Sequence, residues 1–215
     1  MSAVSEAIVR EFFELHGFLV RQQRKFVAQT RDEDEQIDFF VLNPRPSARA
    51  KPPFVIDAEH LDQLHRAVVV VRGWHSEKFS AAVLENAPEI FRFLEPDSMR
   101  RLAAEFGAEQ PFLKILVVPA LPIQADARAE AITYLQSKGV DAVIPFRGIL
   151  ADLIERIETN RNYTRSDLLQ MLRILKNYEF FPGPQLELFK TSRRKGKGGR
   201  LKPDQAERSN QQQGE

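Results

Sequence analysis

Residues 67–75, AVVVVRGWH, constrain this chain more than any other stretch. Four valines follow an alanine without a break and run into Arg72, Gly73, Trp74 and His75. An unbroken β-branched run bounded by turn signals reads as a strand buried on both faces, not as a helix. Such a strand needs neighbours on either side and a covering layer above and below, so it asks for an α/β architecture. Its end delivers a cation, a flexible glycine, the single tryptophan and a histidine to one edge of a sheet. A buried strand that ends in a polar cluster is a rigid mount for a site.

The rest of the chain supplies the layers. Residues 3–16 carry Val4, Ile8, Phe12 and Leu15 on one helical stripe, widened by Val9 and Phe13, with Gly17 as the stop. Residues 18–29, FLVRQQRKFVAQ, predict a strand with a basic middle at Arg21, Arg24 and Lys25. Residues 36–42, QIDFFVL, predict a second strand with one oddity, Asp38 among apolar neighbours. The loop 43–53 holds four prolines and three cations, long enough to be functional. A short strand at 54–56 and a brief helix at 58–66, capped by Asp57, lead into the central strand. Ser76 predicts the cap of a helix through about residue 85. Pro88 starts another, and 97–106 reads as a third. Strands at 112–118 and 140–145 flank a helix at 123–138, and two helices follow from about residue 148, at 148–159 and 165–180. The first three strands read as an antiparallel meander and the later ones as parallel strands joined by helices. The expected fold is a mixed sheet flanked by helices on both faces.

Composition sets outer bounds. The chain has 215 residues, 43% of them apolar, with 16 Phe, enough for one core over residues 1–189. It has no cysteine, so no disulfide framework, thiolate metal site or thiol nucleophile is available. That suits a reducing compartment, and no window is apolar enough to span a bilayer, so a soluble cytoplasmic protein is expected, without a membrane partner. From Lys190 onward there are eight Lys/Arg against three Asp/Glu, leaving 23 against 27 in residues 1–189. The body is mildly acidic and the tail basic. Residues 190–215 cannot bury enough apolar surface to order and are expected to be disordered. There is no phosphate-binding glycine loop, dinucleotide fingerprint, HExxH or GxSxG pattern.

The element order resembles that of the PD-(D/E)xK, or restriction-endonuclease-like, superfamily, of the Holliday-junction-resolvase type. That resemblance rests on a helix–three strands–helix–strand order, on Glu6 in the first helix, on Asp38 in the second strand and on Val70-Val71-Arg72 in the third. It implies a nuclease fold acting on nucleic acid, with two carboxylates holding Mg²⁺ and a lysine beside them. The chain departs from that pattern at the third strand. Val70 stands where the second carboxylate belongs, and Arg72 where the lysine belongs. Valine binds no metal, and a guanidinium keeps its proton at ordinary pH. The resemblance allows a rescue, with the missing acid supplied from the following helix by Glu77, or by Glu6, and His75 joining as ligand or base.

Each candidate also has a plainer role. Asp38 is either a metal ligand or one half of a salt bridge to Arg72 or Arg24. Glu6 and Glu77 both suit helix N-termini without any chemistry. Trp74 either packs or stacks on an unpaired base. The Arg21–Lys25 run, with Arg24 and Lys25, and the Arg45–Lys51 loop either line a phosphate track or face solvent. Three functions follow: a degenerate nuclease domain that binds nucleic acid, an active Mg²⁺-dependent nuclease, or an interaction domain. The last would use Leu168, Leu169, Leu172 and Leu175, expected on an exposed helix face suited to a homo-oligomer.

Overall fold

The valine run is the middle strand of a five-stranded mixed sheet. The computed structural model describes residues 3–22, 37–47, 51–73, 75, 77–100 and 111–181. In chain order the elements are α1 (Ala3–Leu15), β1 (Leu19–Gln22), β2 (Phe39–Leu42), a 3₁₀ turn (Ala58–Gln63) and β3 (Arg66–Val71). Next come α2 (Ala81–Glu85), a second 3₁₀ segment (Pro88–Leu94), β4 (Leu113–Val118), α3 (Ala125–Ser137), β5 (Ala142–Pro145), α4 (Phe146–Arg156) and α5 (Asp167–Asn177). The strands lie side by side in chain order. β1, β2 and β3 form the expected antiparallel meander, and β4 and β5 add to it in parallel.

Alternation along β3 divides two cores. Ala67, Val69 and Val71 face the side of α1, with Val9, Phe12, Phe13 and Leu153. Val68 and Val70 face the other, with Phe79, Leu84, Ile90, Phe93 and Leu135. All five residues are fully buried, so neither face of the strand has room for a polar side chain. Each buried valine contributes about 1.5–3 kcal/mol, which is why β3 anchors the domain.

Several boundaries differ from expectation for identifiable reasons. The residues expected as a strand at 54–56 make a single parallel bridge to β5. There Val143 N donates to Phe54 O at 2.7 Å and Ile56 N donates to Val143 O at 2.8 Å. Asp57 gives no side-chain cap, and the helix it precedes is 3₁₀. The helix expected from Ser76 starts at Ala81, with Ser80 Oγ accepting from Val83 N. Phe79 explains the delay: it is fully buried and its N–H donates to Ala120 O at 2.8 Å, which holds the chain against β4 before it can turn. Of the helix expected at 97–106, residues 96–100 are helical and the remainder lies outside the described residues. So does the predicted strand beyond Gln22 and the basic tail. Gly17 stops α1 as expected, with φ at +81°.

The leucines of α5 do not face solvent. Leu169 is buried, Leu168 and Leu172 pack against the α1-side core, and Leu175 is half-buried. The outward face carries Met171, Ile174 and, just past the helix, Tyr178. Two polar clasps hold α5 in this orientation. Ser166 Oγ accepts from Leu169 N at 3.2 Å and donates to buried Glu11 Oε1 at 2.6 Å. Lys176 Nζ donates to the carbonyls of Ile154, Glu155 and Ile157 at 2.7–3.0 Å, closing the C-terminus of α4. Met1–Phe181 form one compact unit. Among the described residues no helix is long and apolar enough to cross a membrane.

Candidate functional site

β1, β3, β4 and β5 all run toward one edge of the sheet, and β2 starts there. In open α/β sheets the carboxyl ends of parallel strands are the usual place for a ligand. Asp38, immediately before β2, and Arg72, immediately after β3, meet at this edge. Asp38 is 3% exposed, deep enough that a bare carboxylate would be costly.

Two groups offset that cost. Val71 N donates to Asp38 Oδ2 at 2.7 Å. The neighbouring N–H, of Arg72, points the other way, donating to Val117 O on β4. So where β2 has not yet begun, the Asp38 side chain stands in for a backbone carbonyl and extends the β2–β3 ladder. Arg72 Nη1 lies 3.8 Å from the same oxygen, at ion-pair but not hydrogen-bond distance. The same Nη1 donates to Val71 O at 3.1 Å. The guanidinium is thus fastened to β3 beside the carboxylate.

The N-terminus of α1 brings further groups to this edge. Glu6, 8% exposed, accepts from Gln22 Nε2 at 2.9 Å. Ser5 Oγ lies 3.0 Å from His75 Nε2. The His75 ring rests on Phe146, centroids 4.5 Å apart, where α4 leaves β5. Gly73 gives them room: a Cβ there would meet Ser5 Oγ at 2.9 Å and His75 Nε2 at 3.2 Å.

The sequence-named residues therefore divide. Asp38 and Arg72 are in direct contact, and Glu6 and His75 belong to the same edge. Glu77 is exposed and lies in the nonhelical stretch before Ser80, not on a first helical turn. Trp74, Arg24 and Lys25 lie outside the described residues. Arg21 sits over the Phe40 ring at 5.5 Å. Ser5 and Gln22 escaped the sequence reading, because a small polar residue and an amide on a half-buried strand carry no local signal of their long-range partners.

The donor set at the positions the resemblance assigns to Mg²⁺ does not suit that ion. Asp38 is engaged by an amide, Val70 has no donor atom, and a guanidinium nitrogen lies 3.8 Å from the Asp38 carboxylate. What this edge can do chemically is hold a fixed positive charge beside a compensated acid. No family model, curated protein or solved structure matches the chain.

Proposed function

We propose that the chain is a restriction-endonuclease-like domain whose metal site has been replaced by an Asp38–Arg72 ion pair. In this reading it binds nucleic acid and does not cut it efficiently. The observation that carries the reading is the dual engagement of Asp38 Oδ2, by Val71 N at 2.7 Å and by Arg72 at 3.8 Å. The meander followed by parallel strands supports it, since it follows the order the resemblance implies. Arg72, Arg21 and His75 at the same sheet edge supply charge and hydrogen-bonding groups for a phosphate backbone.

The test is a gel-shift titration on double-stranded, single-stranded and four-way branched DNA at roughly 50 and 200 mM salt. Binding that weakens with salt, without cleavage in Mg²⁺ or Mn²⁺, is the expected result. No retardation of any form at the lower salt overturns the reading. Metal-dependent cleavage abolished by Asp38→Ala would favour the active nuclease, with Glu77 or Glu6 as the second acid. Such an enzyme would first have to release Glu6 from Gln22. The outward apolar face of α5 favours a third reading, an interaction domain. Light scattering tests its self-assembling form.

A further inference from the structure

A second place on this domain, at the opposite end of the sheet, is built to take a ligand. A cleft of about 580 Å³ opens between the end of α1, the end of β2 and the first 3₁₀ turn. That volume falls in the range of small-molecule sites. His16, Asn43, Arg45, Glu59, Leu61 and Asp62 are among the residues that line it.

Asn43 is the anchoring observation. It is 7% exposed, and its Oδ1 accepts from Arg45 N at 2.9 Å, closing a turn. Its Nδ2 has no hydrogen-bond partner among the described residues, yet it is not one of the sealed, unpartnered polar atoms. Asn43 lines the cleft, so a residue with an unused donor forms part of its wall. A side chain so far buried with an open donor costs stability unless a ligand or water completes it.

The charges around it are also uncompensated. Arg45 is exposed and has no carboxylate within ion-pair distance among the described residues. Glu59 and Asp62 are exposed, three residues apart on a 3₁₀ turn, where such positions stack on one side. Neither has a cation partner among the described residues. Within this lining, His16 is tied to the next layer. Its Nε2 donates to Asp152 Oδ2 at 2.8 Å, and Asp152 Oδ1 accepts from Arg156 Nε at 2.9 Å.

We propose that this cleft binds a small zwitterion of amino-acid size, an ammonium and a carboxylate on one molecule. The stacked acids take the ammonium, and Arg45 with Asn43 Nδ2 takes the carboxylate. A bare anion would face two acids against one guanidinium. A bare metal ion would lack ligands, since no three His, Asp or Glu side chains gather for one among the described residues.

The experiment is a ¹H–¹⁵N titration of the full chain with glycine, β-alanine and L-arginine, and separately with acetate and methylammonium. At least one zwitterion should shift the Asn43 side-chain amide saturably, and each half-ligand should bind about tenfold more weakly or worse. Arg45→Ala and Glu59→Gln should each weaken binding by about tenfold without moving the unfolding midpoint. No saturable shift with any zwitterion overturns the proposal. So does acetate binding as tightly as the zwitterions, or binding indifferent to Arg45→Ala. The site is remote from Asp38 in the sheet, so its failure leaves the nucleic-acid reading standing, and the converse holds.

Discussion

The lip of the cleft and the opposite end of the sheet treat polar groups in opposite ways. At the end where β3 finishes, Asp38, Arg72, Glu6, Gln22, Ser5 and His75 are tied to one another or to the backbone. At the end where β3 begins, Asn43, Arg45, Glu59 and Asp62 keep donors and charges without partners among the described residues. The first end carries the recognisable pattern and has little spare valence. The second carries no pattern and has the valence. Groups without partners locate chemistry that remains open, whether or not the sequence around them carries a pattern.

The largest expected effect tests the first half of that contrast. Asp38→Ala removes the acceptor of Val71 N and the carboxylate beside the mostly buried Arg72 guanidinium. Breaking a buried pair in this way costs about 3–5 kcal/mol. Asp38→Asn keeps an oxygen for Val71 N and should cost only about 1–2 kcal/mol. Urea unfolding of the two variants reads the difference. Loss below about 1 kcal/mol in Asp38→Ala would mean that the carboxylate is not what closes the ladder.

Asp152→Ala comes next, at about 2 kcal/mol by thermal or urea unfolding. It strips His16 of a buried hydrogen bond, both side chains being about one-tenth exposed. The loss of Arg156, which is half-exposed, adds little. A larger loss would show that the cleft end is as tightly bound together as the other, and would blur the comparison.

Part of this was legible from residues alone. The valine run identified β3 because a doubly buried strand has no polar position to disguise it. Asp38 stood out because a carboxylate in an apolar run needs a partner, and Arg72 and Arg24 were the cations the sequence offered. The start of α2 was not legible. Ser76 and Ser80 both suit a cap, and the choice is made by Phe79 and the Ala120 carbonyl, 41 residues away. Nor was the facing of α5. Its leucine stripe specifies a buried face but not what buries it, and Glu11 and Lys176, through long-range bonds, turn it inward. The cleft was least legible of all. Its lining comes from a proline-rich loop and a 3₁₀ turn, each of which alone resembles any solvated segment.

Gly73→Ala is a smaller perturbation of the crowded end. The new methyl would lie 2.9 Å from Ser5 Oγ, too close to stand without movement. Overpacking of this kind costs about 1–3 kcal/mol. The informative measurement is the double variant. With Ser5→Gly beside it, both crowding atoms of Ser5 are gone, and most of that cost should vanish in a thermal unfolding cycle. Additive losses would place the clash with the His75 ring instead.

The smallest effect is expected at the open end, and it is the one that decides whether that end is open. Arg45→Ala, Glu59→Gln and Asp62→Asn should each change stability by no more than about 0.5 kcal/mol. These exposed side chains have no charged partners among the described residues. Removing a charge that nothing compensates breaks no ion pair, and neutralising one of two stacked acids relieves a like-charge contact. Glu59→Gln should therefore be neutral or slightly stabilising in urea at low salt, with the gain fading as salt screens the pair. A loss above about 1 kcal/mol would mean that the fold already uses these groups, and the contrast between the two ends of the sheet would collapse.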